Sequence, residues 1–232
     1  MQKIYIRNTI GWHITDRDFS NQLNEALDTG EKIQIMINSP GGSVYMGWAI
    51  FNEIRHAIKE GADIETYNIG LAASMASVIL TAAEKDKINV AENSMTMIHN
   101  PSGMAFGEKD KMKKETEILG KIEDLMSAWY AKVTGTDQGY MRAVMAATTW
   151  YKPKEAKLEG LASKIVDGGE EIDKVEVVGM DESAFKGMPS GLNKVLCFAE
   201  ETPTMKTNQY VDLTKISNAQ IREKAWKNYI RY

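Results

Sequence analysis

Ser74 is the strongest candidate for a reactive residue, because it stands where a predicted strand gives way to a stretch of small residues, Gly70-Leu-Ala-Ala-Ser74-Met-Ala-Ser77. A serine hydroxyl at a strand–helix junction is suited to nucleophilic attack when a base lies nearby. The following N–H, that of Met75, would point to where a tetrahedral oxyanion forms. Two alternatives stay open: Ser77 is a second hydroxyl one turn later, and small residues also serve tight helix packing.

A glycine turn, Asn38-Ser-Pro-Gly-Gly42, follows another predicted strand and precedes a predicted helix. Backbone N–H groups at such a helix start attract negative charge. Trp48-Ala49 stands where a nucleotide-binding P-loop requires Lys and Ser or Thr, so nucleotide binding is rejected. The turn is either an oxyanion hole or only a tight turn.

Three histidines are available as a base for a serine. We expect His13, in the turn after the first strand, and His56, on the polar side of a helix, to be solvated. His99 follows the apolar strand over 95–98, at the edge of the sheet where strand ends converge. A complete triad would also need a carboxylate to orient the imidazole and stabilise its charged form.

The periodicity of the chain predicts the elements that position these residues. Strands with period two and helices with apolar residues at three- and four-residue spacing alternate, which indicates an α/β fold with a layered, parallel-rich sheet. We predict strands over 3–7, 32–38, 64–69, 88–90 and 95–98, and helices over 16–27, 44–58, 71–83, 108–133, 140–147 and 153–160.

The long helix over 108–133 and the segment after residue 167 fall outside the compact pattern. The first two turns of that helix are almost wholly polar, so it either projects from the domain or lies on its surface. Residues 168–232 read as a carboxy-terminal extension, with a possible hairpin over 172–178 and a last helix capped by Ser217 and Gln220. The predicted domains are therefore 1–167 and 168–232.

Composition and charge exclude several classes of protein. Hydrophobic residues make up 43% and charged residues 26% of the chain, which excludes wholesale disorder. A net charge of -4 leaves no basic excess for a phosphate backbone, so no nucleic-acid partner is expected. The single Cys197 fits a reducing compartment, and no secretory signal or membrane-length apolar stretch is found. These features predict a cytoplasmic protein.

Four motifs, taken in order, resemble the ClpP-type serine peptidases, most closely the phage head-maturation (prohead) branch. They are the glycine turn, the segment around Ser74, Met97-Ile-His99-Asn-Pro, and Glu155-Ala156 with Gly160-Leu161. The prohead branch is indicated by Ile10-Gly-Trp12, Ala72-Ala-Ser-Met-Ala-Ser77 and Thr149-Trp150. The similarity covers roughly residues 4–167.

The resemblance implies the ClpP/crotonase-like fold, with the long helix as a projecting handle between homo-oligomeric rings. It also implies Ser74 as nucleophile, His99 as general base, and the N–H groups of Gly42 and Met75 as the oxyanion hole. No cofactor, metal or nucleotide is implied. The family's acidic triad position falls on Thr148, which supplies no carboxylate; its hydroxyl, Glu155 and Asp167 remain candidates to orient the histidine.

The function implied is an ATP-independent serine endopeptidase that processes phage capsid, scaffold or portal protein during procapsid maturation. An ATPase partner is not expected, because Met1 lies only two residues before the first predicted strand. The alternatives are a catalytically weak or inactive ring protein with a structural role, motivated by Thr148, a crotonase-type acyl-CoA enzyme, and an ATPase-coupled degradative ClpP.

Overall fold

The computed structural model describes residues 1–167, 175–178, 180, 182–189 and 196–198. The chain divides into two compact units, Met1–Ala199 and Glu200–Tyr232. All described residues belong to the first unit, and the predicted last helix lies outside them. The division into domains at residue 167 stays a prediction.

The described residues form nine strands and six α-helices, with 3-10 helices at Lys85–Lys87 and Glu182–Phe185. The strands are β1 Gln2–Arg7, β2 Ile33–Ser39, β3 Ile64–Ala73, β4 Ile88–Ala91, β5 Met95–Ile98, β6 Thr149–Tyr151, β7 Lys164–Val166, β8 Val175–Val177 and β9 Leu196–Phe198. The helices are α1 Asp16–Asp28, α2 Val44–Lys59, α3 Met75–Leu80, α4 Lys109–Thr134, α5 Gln138–Ala146 and α6 Pro153–Glu159.

One seven-stranded sheet carries the fold, and it is mostly parallel. Its path runs β1-β2-β3-β4-β7, with every neighbouring pair parallel. The long strand β3 has two partners: Thr66–Asn68 pair with β4, and Leu71–Ala73 pair with β5. The short strand β6, which the periodicity did not predict, runs antiparallel to β5. The predicted layered α/β class is confirmed.

The main hydrophobic core lies between this sheet and the helices that cover it. Phe19 of α1 and Ile50 of α2 are fully buried in it, together with all of α3. The apolar stripes read from the sequence therefore face the core. Burial of such a stripe, rather than intrinsic propensity, supplies most of a helix's stability in a protein.

The predicted helix over 71–83 is wrong in its first part, because β3 continues to Ala73 and α3 begins only at Met75. An apolar run of small residues does not by itself distinguish a buried strand from a buried helix. Residues 71–73 are a strand rather than a helix because they pair with β5. This correction places Ser74 alone between the two elements.

Helix α4 has an exposed first half, as its polar first turns predicted. Its buried residues, Met126, Ser127 and Tyr130, all lie in its second half, which packs on α3 and α5. The exposed half still carries apolar side chains, at Met112 and Ile118. Contiguous exposed apolar patches, rather than single side chains, mark surfaces that contact another chain.

The predicted hairpin over 172–178 falls partly outside the described residues; within them, Val175–Val177 form β8, which pairs with β9 in parallel. Parallel pairing requires a connection of a dozen residues or more, which the interval between the two strands provides. Val175, Val177, Phe185 and Leu196 form a second apolar cluster there.

This second cluster covers the face of the sheet that is turned away from α3. Leu71 and Ala73 of β3 point into it, whereas Ala72 points into the main core, because successive strand residues face opposite sides. Met97 of β5 joins the same cluster. In the part of the chain that the structure describes, no helix combines the length and apolarity needed to span a membrane.

Candidate active site

Ser74 is held in an unusual backbone conformation between β3 and α3. Its φ and ψ are 54° and -125°, and its N–H donates to the carbonyl of Met97 in β5 at 2.9 Å. A non-glycine residue in such a region costs on the order of 1–3 kcal/mol and persists only where its surroundings enforce it. Here the side chain is turned out of the strand–helix junction and stays partly exposed.

His99 meets this serine directly. The Nε2 atom of His99 lies 2.8 Å from the Oγ atom of Ser74, and the histidine is 5% exposed. The contact follows from topology: β3 and β5 are parallel neighbours, so the residues just after their carboxyl ends come together. The two residues singled out in the sequence are thus one hydrogen-bonded pair.

The glycine turn after β2 stands against the same junction. Two backbone hydrogen bonds to Ile10 hold the turn in place. The N–H of Ile10 donates to the carbonyl of Gly41 at 2.8 Å, and the carbonyl of Ile10 accepts from the N–H of Ser43 at 2.9 Å. A Cβ atom on Gly41 would lie 2.9 Å from the nitrogen of Met75, closer than real Cβ contacts allow. The turn and the serine junction therefore pack backbone against backbone.

Side chains of the turn fix its position further. The Ser39 hydroxyl donates to the carbonyl of Asn8 at 2.6 Å and accepts from the N–H of Gly41 at 3.1 Å. The Asn38 amide oxygen accepts from the N–H of Leu71 at 3.1 Å, where the pairing of β2 with β3 shifts register. Sequence reasoning treated these residues only as parts of a turn, although they hold it in place.

The N–H groups of Gly42 and Met75 form no hydrogen bond within the described residues. Met75 is the first residue of α3, and the first N–H groups of a helix have no partner inside it. Both groups belong to segments that pack against one another beside Ser74. They are available to an oxyanion next to that hydroxyl.

Ser77, the alternative nucleophile, is fully buried, and its hydroxyl already has two hydrogen-bond partners. Its hydroxyl donates to the carbonyl of Ser74 at 2.6 Å, so the Tyr130 hydroxyl, 2.8 Å away, donates to it. Burial raises the pKa of Tyr130, which keeps that donor protonated. Ser77 thus links α3 to α4, and the structure leaves Ser74 as the accessible hydroxyl.

Thr148 comes directly before β6, as His99 comes directly after β5. The last pair of these antiparallel strands is Ile98 with Thr149, so both residues leave the strands at the same end of the pairing. The φ of Thr148 is 53°, a region that a β-branched residue rarely adopts. Its hydroxyl forms no hydrogen bond with His99 in the described structure. The carboxylate of Glu155 is exposed and caps α6 through the N–H of Lys152 at 2.7 Å.

Among the described residues, the side chain of His99 has one hydrogen-bond partner, Ser74. Burial lowers the pKa of His99, and the nearby backbone of Ala184 acts against that shift. Asp167, the other acidic candidate, is exposed.

The remaining histidines lie apart from this pair. His13 and His56 are both exposed, as expected. The Nε2 atom of His13 lies 3.2 Å from a carboxylate oxygen of Glu176 in β8, and this contact is itself exposed. Among the described residues, no group of three His, Cys, Asp or Glu side chains is placed to hold a metal ion.

Comparison with known proteins identifies the family to which this arrangement belongs. Residues 2–169 match the family model described as Clp protease. The chain belongs to the Clp protease family. Because the matched region contains Ser74, His99 and the glycine turn, the resemblance to ClpP-type peptidases is confirmed at the level of the family.

Curated relatives carry the same name at moderate identity. An ATP-dependent Clp protease proteolytic subunit of Bacteroides fragilis is 33% identical over 142 residues, which cover 61% of this chain and 67% of that protein. Its counterpart in Chlorokybus atmophyticus is 32% identical over 173 residues, 74% of this chain and 75% of that protein. A chloroplastic ATP-dependent Clp protease proteolytic subunit 3 of Arabidopsis thaliana is 32% identical over 153 residues, which cover 63% of this chain and 47% of that protein.

Substitution of Gly41 tests the packing of the turn against the serine. In Gly41→Ala the new Cβ meets Ala73, Ser74 and Met75 at 2.7–2.9 Å, so this Clp-family site should lose about 100-fold or more of its rate of phosphonylation by a fluorophosphonate. Gly30→Ala is the control, since Gly30 also has a positive φ but nothing lies within 4 Å of its Cβ position. Equal phosphonylation of both variants would contradict the predicted contact.

The pH dependence of acylation tests the environment of His99. Only the neutral imidazole accepts the serine proton, and burial disfavours the charged form, so the pKa of His99 is lowered. The acylation rate should rise with pH and reach half its plateau below the ordinary histidine value of about 6.5. Stopped-flow acylation across a pH series measures this midpoint, and a midpoint clearly above that value would contradict the buried geometry.

Proposed function

We propose that this chain is a serine endopeptidase in which Ser74 is the nucleophile and His99 the general base, with the N–H groups of Gly42 and Met75 as the oxyanion hole. One observation carries the proposal: a strained serine lies 2.8 Å from a buried imidazole, beside a glycine turn. Family membership gives the same class of activity.

The chemistry is acyl transfer through the serine. Nε2 of His99 takes the proton from Oγ of Ser74 as Oγ attacks the peptide carbonyl, and the two N–H groups stabilise the resulting oxyanion. His99 then gives that proton to the leaving amine, which leaves an acyl group on Ser74. Water, deprotonated by the same imidazole, hydrolyses the ester and restores the serine.

Peptide binding beside the glycine turn would use the backbone of the substrate. An extended peptide that adds a strand at a sheet edge gains main-chain hydrogen bonds that do not depend on its side chains. Such binding suits an endopeptidase with modest sequence selectivity. A crotonase-type acyl-CoA enzyme would not need the serine–histidine hydrogen bond, and that bond favours the peptidase.

Self-association into rings is the assembly that we propose. Helix α4 and the loop before it expose apolar side chains that a monomer would leave in water, Met104, Phe106, Met112, Ile118 and Leu125. Burying one such side chain stabilises an interface by about 1.5–3 kcal/mol before association costs. In this arrangement α4 is the handle between rings.

The natural substrate that we propose is phage capsid, scaffold or portal protein, cut without ATP during procapsid maturation. Support comes from the sequence phrases shared with the prohead branch, Ile10-Gly-Trp12, Ala72-Ala-Ser-Met-Ala-Ser77 and Thr149-Trp150. A processing enzyme cuts each substrate copy a few times, so a slow site suffices. Such a demand is compatible with Thr148 at the triad's third position.

A second candidate, an ATP-dependent degradative subunit, is favoured by the names of the relatives. In that case an unfoldase would feed unfolded chains to the same Ser74 and His99. The two candidates share their chemistry and differ in the source of the substrate, so a substrate experiment separates them.

Active-site labelling tests the catalytic roles without a natural substrate. Fluorophosphonate treatment followed by intact mass measurement should give one adduct on the wild type and on Ser77→Ala, and none on Ser74→Ala or His99→Ala. The reason is that only Ser74 is both accessible and bonded to the base. No adduct on the wild type at any protein concentration would favour an inactive ring protein instead.

Substrate identity is tested with two reactions run side by side. Procapsids assembled from phage capsid and scaffold protein, incubated with the wild-type chain and no nucleotide, should show new scaffold fragments that are absent with Ser74→Ala. Fluorescent casein with a Clp unfoldase and ATP should stay intact. Intact procapsid proteins with ATP-dependent casein degradation would overturn the capsid proposal in favour of the degradative subunit.

A further inference from the structure

We propose that Asn8 and Thr9 are positioning residues of the site: their side chains hold the backbone of β8, and through that contact they fix the glycine turn that carries the N–H of Gly42. The inference rests on the proposed function, because it concerns the oxyanion hole of the same site. It also gives a role to β8, which lies beyond residue 169, where the match to the Clp protease model ends.

The side chains of Asn8 and Thr9, named here the clasp, bind three backbone groups of the segment over 175–178. The amide oxygen of Asn8 accepts from the N–H of Glu176 at 3.0 Å. The hydroxyl of Thr9 donates to the carbonyl of Glu176 at 3.0 Å and accepts from the N–H of Val178 at 2.9 Å. Together these bonds replace the ladder that a neighbouring strand would supply.

The clasp lies where little water reaches. Thr9 is 1% exposed, and Val175 and Val177, on either side of Glu176, are buried in the second apolar cluster. A backbone group that loses a hydrogen-bond partner in such surroundings costs free energy. Removing the hydroxyl of Thr9 therefore disfavours the docked position of β8.

Asn8 connects β8 to the glycine turn. Its φ is 60°, a conformation that asparagine adopts more readily than most residues. The N–H of Asn8 donates to the carbonyl of Asn38 at 3.0 Å, and its carbonyl accepts from the hydroxyl of Ser39 at 2.6 Å. Ser39 in turn accepts from the N–H of Gly41. Asn8 thus faces β8 with its side chain and the turn with its backbone.

Thr9 reaches the same turn through the next residue, Ile10. The backbone of Ile10 bonds Gly41 and Ser43, the two neighbours of Gly42. This contact is close, since a Cβ atom on Gly42 would lie 2.2 Å from the carbonyl oxygen of Ile10. A displacement of Thr9 is therefore passed to the N–H of Gly42. Misplacing a catalytic group by about 1 Å can cost about 100-fold in rate.

Four variants of the full chain isolate the clasp. Thr9→Val removes the hydroxyl and keeps the shape of the side chain, whereas Thr9→Ser keeps the hydroxyl. Asn8→Gly removes the amide and leaves a residue that adopts a positive φ freely. Thr66→Val is the matched control: Thr66 is fully buried in the first half of β3, and its hydroxyl donates to the carbonyl of Leu80 at 2.6 Å.

The rate constant of phosphonylation by a fluorophosphonate reports the geometry of the oxyanion hole. It should fall by about 10- to 100-fold in Thr9→Val and Asn8→Gly, and stay at the wild-type value in Thr9→Ser and Thr66→Val. Circular dichroism of the same samples gives the folded fraction, so loss of fold is separated from loss of rate. Where Thr9→Val does not fold, Asn8→Gly decides the outcome.

Hydrogen exchange followed by mass spectrometry tests the coupling without relying on activity. In Thr9→Val the amides of residues 175–178 and those of residues 41–43 should both exchange faster than in the wild type. Neither segment should change in Thr66→Val. Faster exchange over 175–178 with unchanged exchange over 41–43 would show that β8 docks without fixing the turn, and would overturn the proposal.

The side chain of Glu176 is tested separately, because its exposed carboxylate lies 3.2 Å from Nε2 of His13. Glu176→Gln removes the negative charge and leaves the backbone groups that the clasp binds. This variant should keep the wild-type rate constant and exchange. A loss as large as that of Thr9→Val would assign the docking to the pair with His13 and overturn the role of the clasp.

The outcomes separate this inference from the proposed function. Absence of wild-type labelling counts against the peptidase, and hydrogen exchange then still decides whether the clasp fixes the turn. Normal wild-type labelling with unchanged rate constants in Thr9→Val and Asn8→Gly would overturn the role of the clasp alone. Faster phosphonylation in these variants would also overturn it, because β8 would then obstruct the site rather than position it.

Discussion

The hydrogen bond between Ser74 and His99 is the constraint around which the rest of the structure is arranged. It requires two strands to end side by side, and the parallel pairing of β3 with β5 provides this. It also requires the serine to leave its strand at a fixed angle, which the positive φ of Ser74 provides. The main core, packed to full burial behind α3, holds that strained residue in place.

The backbone around this bond is as important as its side chains. The turn at Gly41 packs within contact distance of Met75, so the N–H groups that we propose as the oxyanion hole are fixed by folding and would need no rearrangement when charge develops. Ser39 and Asn38 hold the turn through hydrogen bonds to neighbouring backbone. Preorganised donors of this kind are the usual source of the largest electrostatic term in acyl transfer.

The opposite face of the sheet distinguishes this chain from a bare peptidase domain. There Leu71, Ala73 and Met97 are covered by a segment from beyond the Clp protease match, which would otherwise leave an apolar surface in water. The same segment brings the backbone of Ala184 near the buried imidazole. Residues beyond the family match therefore complete the hydrophobic packing behind the strands that end at Ser74 and His99.

The sequence by itself determined the α/β class, most helix and strand positions and the candidates Ser74 and His99, because periodicity and small-residue motifs are local properties of the chain. It did not determine where β3 ends or how β8 pairs. Strand ends and parallel partners depend on contacts between distant residues. Backbone groups are common to every residue, so only tertiary packing decides that the turn at Gly41 and the N–H of Met75 lie together beside Ser74.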